Sequence, residues 1–595
     1  MSTAPFNTHD EAPAAKPSAN RDWLRALQKT AAIEQRPRRI LGRAFDEVAA
    51  LRAGETAVAD ASERLSFEAF AGRANRFSRW ALSENLPKGE VVALAMGNCA
   101  DYAAIWLGLT RVGVVVALLN VNLAPPALAH CLRVAKAGRV IAAPPFVQAC
   151  RAASALLETP IEVIEHAPAF AAKIAALPPA PLREEEEREV TIGDPALYIY
   201  TSGTTGLPKA AVVTHRRLMH WAHWFAGLAD MRPSDRMYAC LPMYHSVGGV
   251  VAIFAPLVAG ASVTIRPRFS ASNFWSDVAA EGCTMFQYIG ELCRYLLQAS
   301  QEAPAHGLRI AIGNGLRGDI WEPFQRRFAI PRILEFYAAT ESNFSLYNVE
   351  GEPGAIGRIP AFLGQGARIF LVARDEETGQ PRRGAEGRCV ACKPGEVGEA
   401  VARIETGEGG PGAFEGYVGR EDTESKILRG VFEAGDAYMR SGDLMRKDAR
   451  GFFYFVDRIG DGFRWKGENV STLDVAQALT RAPGVLDANV YGVEVEGHEG
   501  RAGMAALVVG PDFDLETLRR CVEENLPAYA CPLFWRIGES LELTETFKHK
   551  KKQLAQEGFD PGRVAEPLYF APASGPYVLL DAELFRRICA REIRL

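Results

Sequence analysis

The stretch TSGTTGLPKA, Thr201 to Ala210, lies between an apolar run, Leu197 to Tyr200, and a basic, helix-like segment. Its glycines free the backbone to turn N–H groups inward, its hydroxyl side chains add donors, and Lys209 adds a positive charge. That composition suits a loop wrapped around phosphate oxygens. The spacing is not that of a P-loop, which closes on GK[ST]; here Gly206 leads into Leu207, Pro208 and Lys209. A plain Gly/Ser/Thr turn is the alternative reading.

Further stretches carry reactive or ligating residue types. FYAATE (Phe336 to Glu341) holds an aromatic ring, a hydroxyl and a carboxylate, and YMRSGD (Tyr438 to Asp443) ends on a carboxylate. DRIGDGFRWKGENVS (Asp457 to Ser471) combines glycines with an arginine and a lysine, and TETFKHKK (Thr544 to Lys551) is basic. Taken singly, each has a plain reading. Thr340-Glu341 caps a helix, a tyrosine beside Phe336 packs in a core, Ser441-Gly442-Asp443 makes a turn, and the basic run is solvated or faces lipid.

Taken together and in order, these stretches resemble the motifs of the ANL adenylate-forming superfamily, which comprises acyl-CoA synthetases, peptide-synthetase adenylation domains and luciferases. Within it, IYTSGTTGLPKAAVV, GNGLRGDIW, EFYAATE, FRWKGENVST and TFKHKK, with the ending AEPLYF and YVLLDAELFRRI, are similar to the fatty acid transport protein and very-long-chain acyl-CoA synthetase branch. The resemblance spans roughly residues 40 to 595.

The resemblance implies an ATP-dependent fatty acid:CoA ligase for long or very long chains, with ATP, Mg²⁺ and coenzyme A as cofactors. Thr201, Ser202, Gly203, Thr204, Thr205 and Gly206 would hold the β- and γ-phosphates, with Lys209 either closing the loop or supporting it from outside. Thr340 would bond the α-phosphate, and Glu341 would hold Mg²⁺ as a hard oxygen ligand. Tyr337 would stack on adenine beside the backbone of Asn314 and Gly315, while Asp443 would accept from the ribose hydroxyls with support from Arg458. Lys548 would bridge carboxylate and α-phosphate during adenylation. Lys466 and Gly467, with Glu468, would line the pantetheine tunnel after the small domain rotates. In PMYHSVGG, His245 would lie near the acyl carboxylate or pack as a core histidine, and Gly248 and Gly249 would leave room for a chain. Ala338 and Phe547 stand where much of the superfamily has glycine, and Gly460 with Asp461 occupies the hinge.

These residue types match the implied chemistry. A carboxylate is a poor electrophile at neutral pH, so it is first joined to the α-phosphate of ATP with release of pyrophosphate, and the adenylate is then attacked by the coenzyme A thiol. Positioned cations and donors offset the repulsion between carboxylate and triphosphate. The alternatives are a fatty-acid uptake protein that traps its substrate at a membrane, a CoA ligase for another hydrophobic acid such as a steroid acid or carnitine, and an adenylate-binding regulator without activity. Glu341, Asp443 and Lys548 speak against the last.

The elements that must position these residues follow from the rest of the chain. At 595 residues, 48% of them apolar, it exceeds what one core supports, so two or more domains are expected. Alternating helical and strand-like periodicity gives an α/β class: strands at Val91 to Met96, Arg139 to Ala142, Ser262 to Ile265 and Arg309 to Ile312, helices at Phe67 to Ser83 and Phe274 to Ala280. The expected organisation is a disordered tail over residues 1–20, a large adenylation domain over 21–457 with layered sheets and a β-rich subdomain after about Gly366, and a small mobile α+β domain over 458–595. Ala103 to Asn120 reads as a buried helix followed by a buried strand rather than a membrane span, because Arg111 and two glycines interrupt it. Glu184 to Glu187 reads as a solvated linker. A net charge of −5 argues against a nucleic-acid partner. Eleven scattered cysteines and an opening stretch without an apolar signal segment fit the cytoplasm, with peripheral contact at the inner face of a membrane as the alternative. Cys389 and Cys392 lack a second ligand pair and read as structural thiols. The oligomeric state is not encoded in these features.

Overall fold

The computed structural model describes residues 18–202, 207–299, 303–363, 368–375, 378–405, 413–466, 468–498, 500–542, 550–572, 574–593 and 595. Short apolar, β-branched runs pair into sheets, and the amphipathic segments between them cover the faces. A six-stranded sheet has the order Glu162–Glu165, Arg139–Ala142, Val91–Ala95, Val115–Leu118, Pro195–Ser202, Pro208–Thr214. Its pairings are parallel except the last, which is antiparallel and sets Thr201 opposite Lys209. The segment after the glycine-rich loop therefore begins as a strand, and the helix expected there starts at His215. An eight-stranded sheet runs Ser345–Asn348, Ile333–Ala338, Ile310–Asn314, Met285–Ile289, Arg236–Ala239, Ser262–Ile265, Thr56–Ala59, Arg64–Ser66. A single aromatic-rich core including Phe45, Phe70, Trp80, Trp106 and Phe254 draws on both sheets.

The helices expected at Phe67–Ser83 and Phe274–Ala280 have those bounds, while the strand expected to start at Arg309 runs Ile310–Asn314. Ala103 to Asn120 supplies most of helix Ala100–Arg111 and strand Val115–Leu118, and Arg111 is buried against Asp46 at 2.6 Å and Asn75 at 2.8 Å. No helix among the described residues is long and apolar enough to cross a membrane.

Two expectations need correction. Helix Ala19–Thr30 begins inside the presumed tail, because Trp23 is buried and the buried Asp22 pairs with Arg332 at 2.7 Å. The acidic run is not a free linker either: Glu186 takes two bonds, at 3.0 and 2.8 Å, from the buried Arg79. Those bonds, with one from the Arg183 amide, hold its carboxyl down to about 2.

The β-rich subdomain is a five-stranded antiparallel sheet built on the long strand Ala437–Lys447, which Val397–Arg403, Ile427–Arg429 and Phe453–Arg458 flank; Ile369–Val372 completes it. The chain then enters the small domain. A hairpin of Phe463–Trp465 with Glu468–Val470 leads to helix Thr472–Leu479 and to a sheet of Val485–Val493, Ala502–Val509, Phe534–Gly538, Leu568–Phe570 and Val578–Leu579. This unit has its own core around Leu507, Phe534, Trp535 and Phe570. Cys389 is buried, and Cys392 Sγ donates to the Val397 carbonyl at 3.6 Å, as structural thiols would.

The two domains also touch through helix Gly290–Gln298. Arg294, from helix Gly290–Gln298, donates to the Leu486 carbonyl at 2.5 Å and pairs with Asp487 at 3.0 Å, Gln298 bonds the same carbonyl at 2.7 Å, and Arg317 bonds Thr480 at 2.8 Å. Arg294 is 5% exposed, so its loss removes a buried cation and its bonds to Leu486 and Asp487 from the interface. Arg294→Ala is expected to free the small domain from this orientation, raising the rate of limited proteolysis at residues 459–462 about tenfold, the effect of about 1.4 kcal/mol. An unchanged cleavage rate would show that the interface does not hold the orientation.

Candidate active site

The site forms where three sheets meet. Phe453–Arg458 pairs with Ala437–Lys447 so that Asp443 stands directly opposite Arg458, with Arg458 Nε 3.8 Å from Asp443 Oδ1. Tyr337, near the end of Ile333–Ala338, donates its hydroxyl to Asp443 Oδ2 at 2.6 Å and lies 5.7 Å from the Phe344 ring. Burial and the Asp443 charge push the Tyr337 phenol well up. The residues expected at adenine and ribose are thus brought together across two sheets. Asn314 ends its strand with Oδ1 buried and, among the described residues, without a hydrogen-bond partner, and Gly315 turns away at φ +81°.

Past Tyr337 the chain presents Thr340 and Glu341. Thr340 Oγ1 lies 3.3 Å from Ser246 Oγ, and Glu341, largely buried, has Lys426 Nζ 3.5 Å away. Lys426 also donates to the Ser441 carbonyl at 3.3 Å, tying the carboxylate to the Asp443 turn. The Tyr417 phenol faces Glu341 and Thr201 and is pushed up by burial and by Glu341. Arg217 sits behind, bonding the Ser342 carbonyl at 2.8 Å and lying 4.9 Å from the Trp221 ring. Spacing missed Ser246, Tyr417, Lys426 and Arg217. Each reaches the site through long-range folding; Ser246 stands in PMYHSVGG and Tyr417 between Gly416 and Gly419, but those short runs do not themselves show which residues the fold sets beside Thr340 and Glu341.

The phosphate loop is framed by its strands. Thr201 and the backbone of Ser202 close one strand; Gly203, Thr204, Thr205 and Gly206 lie outside the described residues. Lys209 pairs with Asp422 at 2.8 Å and lies 5.7 Å from the Tyr417 ring, which favours the supporting role over direct closure of the loop. His245 leads into a wide π-type turn, Ser246–Val251, a geometry that recurs at functional sites. Its ring lies 4.6 Å from that of Tyr244, and the next residue makes the Thr340 contact. Gly248 and Gly249 do not open space: a Cβ on either would collide with the carbonyls of Pro242 and Met243, so glycine there serves close packing of the turn.

In the small domain Lys466 is exposed at the tip of the hairpin with φ +52°, and Gly467 and Lys548 lie outside the described residues. Part of the basic run is engaged: Lys551 bonds Thr472 at 2.6 Å and lies 3.5 Å from Asp461, while Lys550 stays solvated in a surface pair with Glu542 at 3.2 Å. Gly460 has φ +96° with open space around it, as a pivot needs.

A magnesium site fits these residues. Mg²⁺ keeps waters and binds through one or two carboxylates plus substrate phosphates. Glu341 offers one such carboxylate beside the Thr340 hydroxyl. Among the described residues no group of three or more His, Cys, Asp or Glu could hold a metal ion.

Comparison with known proteins decides the family. Residues 45–418 match the AMP-binding enzyme model, and residues 474–548 match the AMP-binding enzyme C-terminal domain. The chain belongs to the AMP-binding enzyme family. Like other members it is an adenylate-forming ligase that takes ATP. This AMP-binding enzyme is 39% identical over 542 residues to long-chain fatty acid transport protein 6 of Mus musculus, covering 88% of this chain and 86% of that protein. It is 40% identical over 522 residues to long-chain fatty acid transport protein 1 of Mus musculus, covering 85% and 80%. Its fold matches that of the anthranilate CoA ligase AuaEII in complex with anthranoyl-AMP with a TM-score of 0.75 at 20% identity, over 87% of this chain and 97% of that one.

Proposed function

We propose that this AMP-binding enzyme is a long-chain fatty acid:CoA ligase. The observation that carries this reading is the identity of about two residues in five, along most of the chain, with relatives named long-chain fatty acid transport proteins. Tyr337, Asn314 and Gly315 hold the adenine, and Asp443 with Arg458 holds the ribose. Glu341 holds the magnesium ion, which when bound supplies charge neutralisation at the phosphates. Thr340, whose hydroxyl lies 3.3 Å from Ser246 Oγ, orients the α-phosphate. One oxygen of the fatty acid carboxylate attacks the α-phosphorus, the bond from that phosphorus to the bridging oxygen breaks, and pyrophosphate leaves. Lys548 offsets the charge of the two anions as they approach. The coenzyme A thiol then loses its proton to solvent and attacks the acyl carbon, the bond from that carbon to the phosphate oxygen breaks, and AMP leaves; Lys466 and Gly467 serve this step after the small domain turns about Gly460.

The test is a panel of acids from short-chain to very long, with a steroid acid and carnitine, scored by CoA-dependent AMP formation. Long-chain acids are expected to lead in kcat/KM. A short or cyclic acid ahead by more than about tenfold, equivalent to about 1.4 kcal/mol of transition-state stabilisation, would refute the substrate class.

A further inference from the structure

The turn after strand Ile310–Asn314 is held from beneath by a carboxyl group. Glu335, 1% exposed on strand Ile333–Ala338, accepts through Oε1 from the Gly315 N–H at 2.5 Å and the Leu316 N–H at 3.3 Å, and its Oε2 shares a hydrogen bond of 2.5 Å with the Tyr288 hydroxyl. From the other side Gly290 packs so tightly on the Gly315 carbonyl that any side chain there would collide with it. Strand alternation sets Glu335 and Tyr337 on the same face of their strand. One buried group thus ties the strand bearing Tyr337 to the turn bearing Asn314 and Gly315.

We infer that Glu335 is a positioning residue for nucleotide recognition, clamping Gly315 and Leu316 so that Asn314 and Gly315 stay in register with Tyr337 and discriminate adenine from guanine. The inference rests on the adenine assignment proposed above. Asn314 Oδ1 has no hydrogen-bond partner among the described residues, and on rotation out of its buried position it would accept from the 6-amino group of adenine and repel the 6-oxo group of guanine. Burial pushes the Glu335 carboxyl up to about 8, against the lowering by Tyr288, Gly315 and Leu316, so the group carries a proton at neutral pH. The titratable groups facing it are the Tyr288 hydroxyl and the Cys293 thiol, both pushed up chiefly by burial. Glutamine mimics that neutral acid, its oxygen accepting the two N–H groups and its amide facing Tyr288. Alanine leaves those donors buried and unpaired.

The experiment measures kcat and KM for ATP and for GTP, by pyrophosphate release, in the full-length wild type, Glu335→Ala, Glu335→Gln and Tyr337→Ala. Glu335→Ala is expected to raise KM for ATP about tenfold, to change kcat by less than about threefold, and to narrow the preference for ATP over GTP. Glu335→Gln is expected to restore both the KM and the preference. Should the alanine variant fail to fold, Glu335→Asp, which withdraws the carboxyl by one methylene, is expected to show the same KM shift. A loss of kcat at unchanged KM, an ATP preference that stays intact, or a glutamine variant as impaired as the alanine one would overturn the inference. If Tyr337→Ala leaves KM for ATP unchanged, the adenine assignment itself is wrong. If Tyr337→Ala raises KM while neither Glu335→Ala nor Glu335→Asp does, only the role of Glu335 is wrong.

Discussion

Replacing Lys548 by alanine is expected to slow acyl-adenylate formation by at least about a hundredfold, the scale of removing one preorganised charge partner from a transition state. Thioester formation from a supplied acyl adenylate is expected to survive within about threefold, because that cation is needed only while carboxylate and triphosphate meet. The neighbouring lysines are poor substitutes: Lys550 is paired with Glu542, and Lys551 with Asp461 and Thr472. Lys466→Ala is expected to show the reverse pattern, with the thiol step hit harder. Pyrophosphate release and CoA consumption, measured separately, check both. Equal losses in the two half-reactions for Lys548→Ala would remove it from the adenylation step.

Glu341→Gln is expected to lower the overall rate by about a hundredfold and to move the half-saturating Mg²⁺ concentration upward by at least about tenfold at saturating ATP, since one hard anionic ligand is lost. The substitution also leaves Lys426, now 3.5 Å from that carboxylate, facing a neutral amide. Titration of Mg²⁺ against rate and against nucleotide-induced thermal stabilisation separates a metal ligand from a packing residue. An unchanged Mg²⁺ midpoint by both readouts would mean that Glu341 does not hold the ion.

Much of the frame was legible in the sequence. Apolar runs such as Val91–Ala95 and Ser262–Ile265 announced themselves because strands buried on both faces need uninterrupted hydrophobicity. The site residues that stand in glycine-bearing or hydroxyl-bearing motifs, Tyr337, Thr340, Glu341 and Asp443, are drawn to one place by the pairing of two sheets. The roles of Lys426, Tyr417 and Ser246 were not legible: Lys426 carries no local signal, and the glycines around Tyr417 and after Ser246 mark turns without showing what the fold sets beside them. Gly248 and Gly249 misled for a related reason: a missing side chain makes room for a ligand or for a neighbouring backbone, and composition cannot distinguish them. Lys209 is similar, since an ion pair with Asp422 depends on a helix far along the chain.

The central claim, that an acyl adenylate forms on this chain before any thiol is involved, is tested most directly by exchange of labelled pyrophosphate into ATP in the absence of coenzyme A. The account predicts exchange that requires both Mg²⁺ and a long-chain fatty acid, is abolished in Lys548→Ala, and is accompanied by an acyl-AMP detectable by mass spectrometry. Exchange that proceeds without a fatty acid, that appears only when coenzyme A is present, or that gives way to release of ADP and phosphate would contradict it.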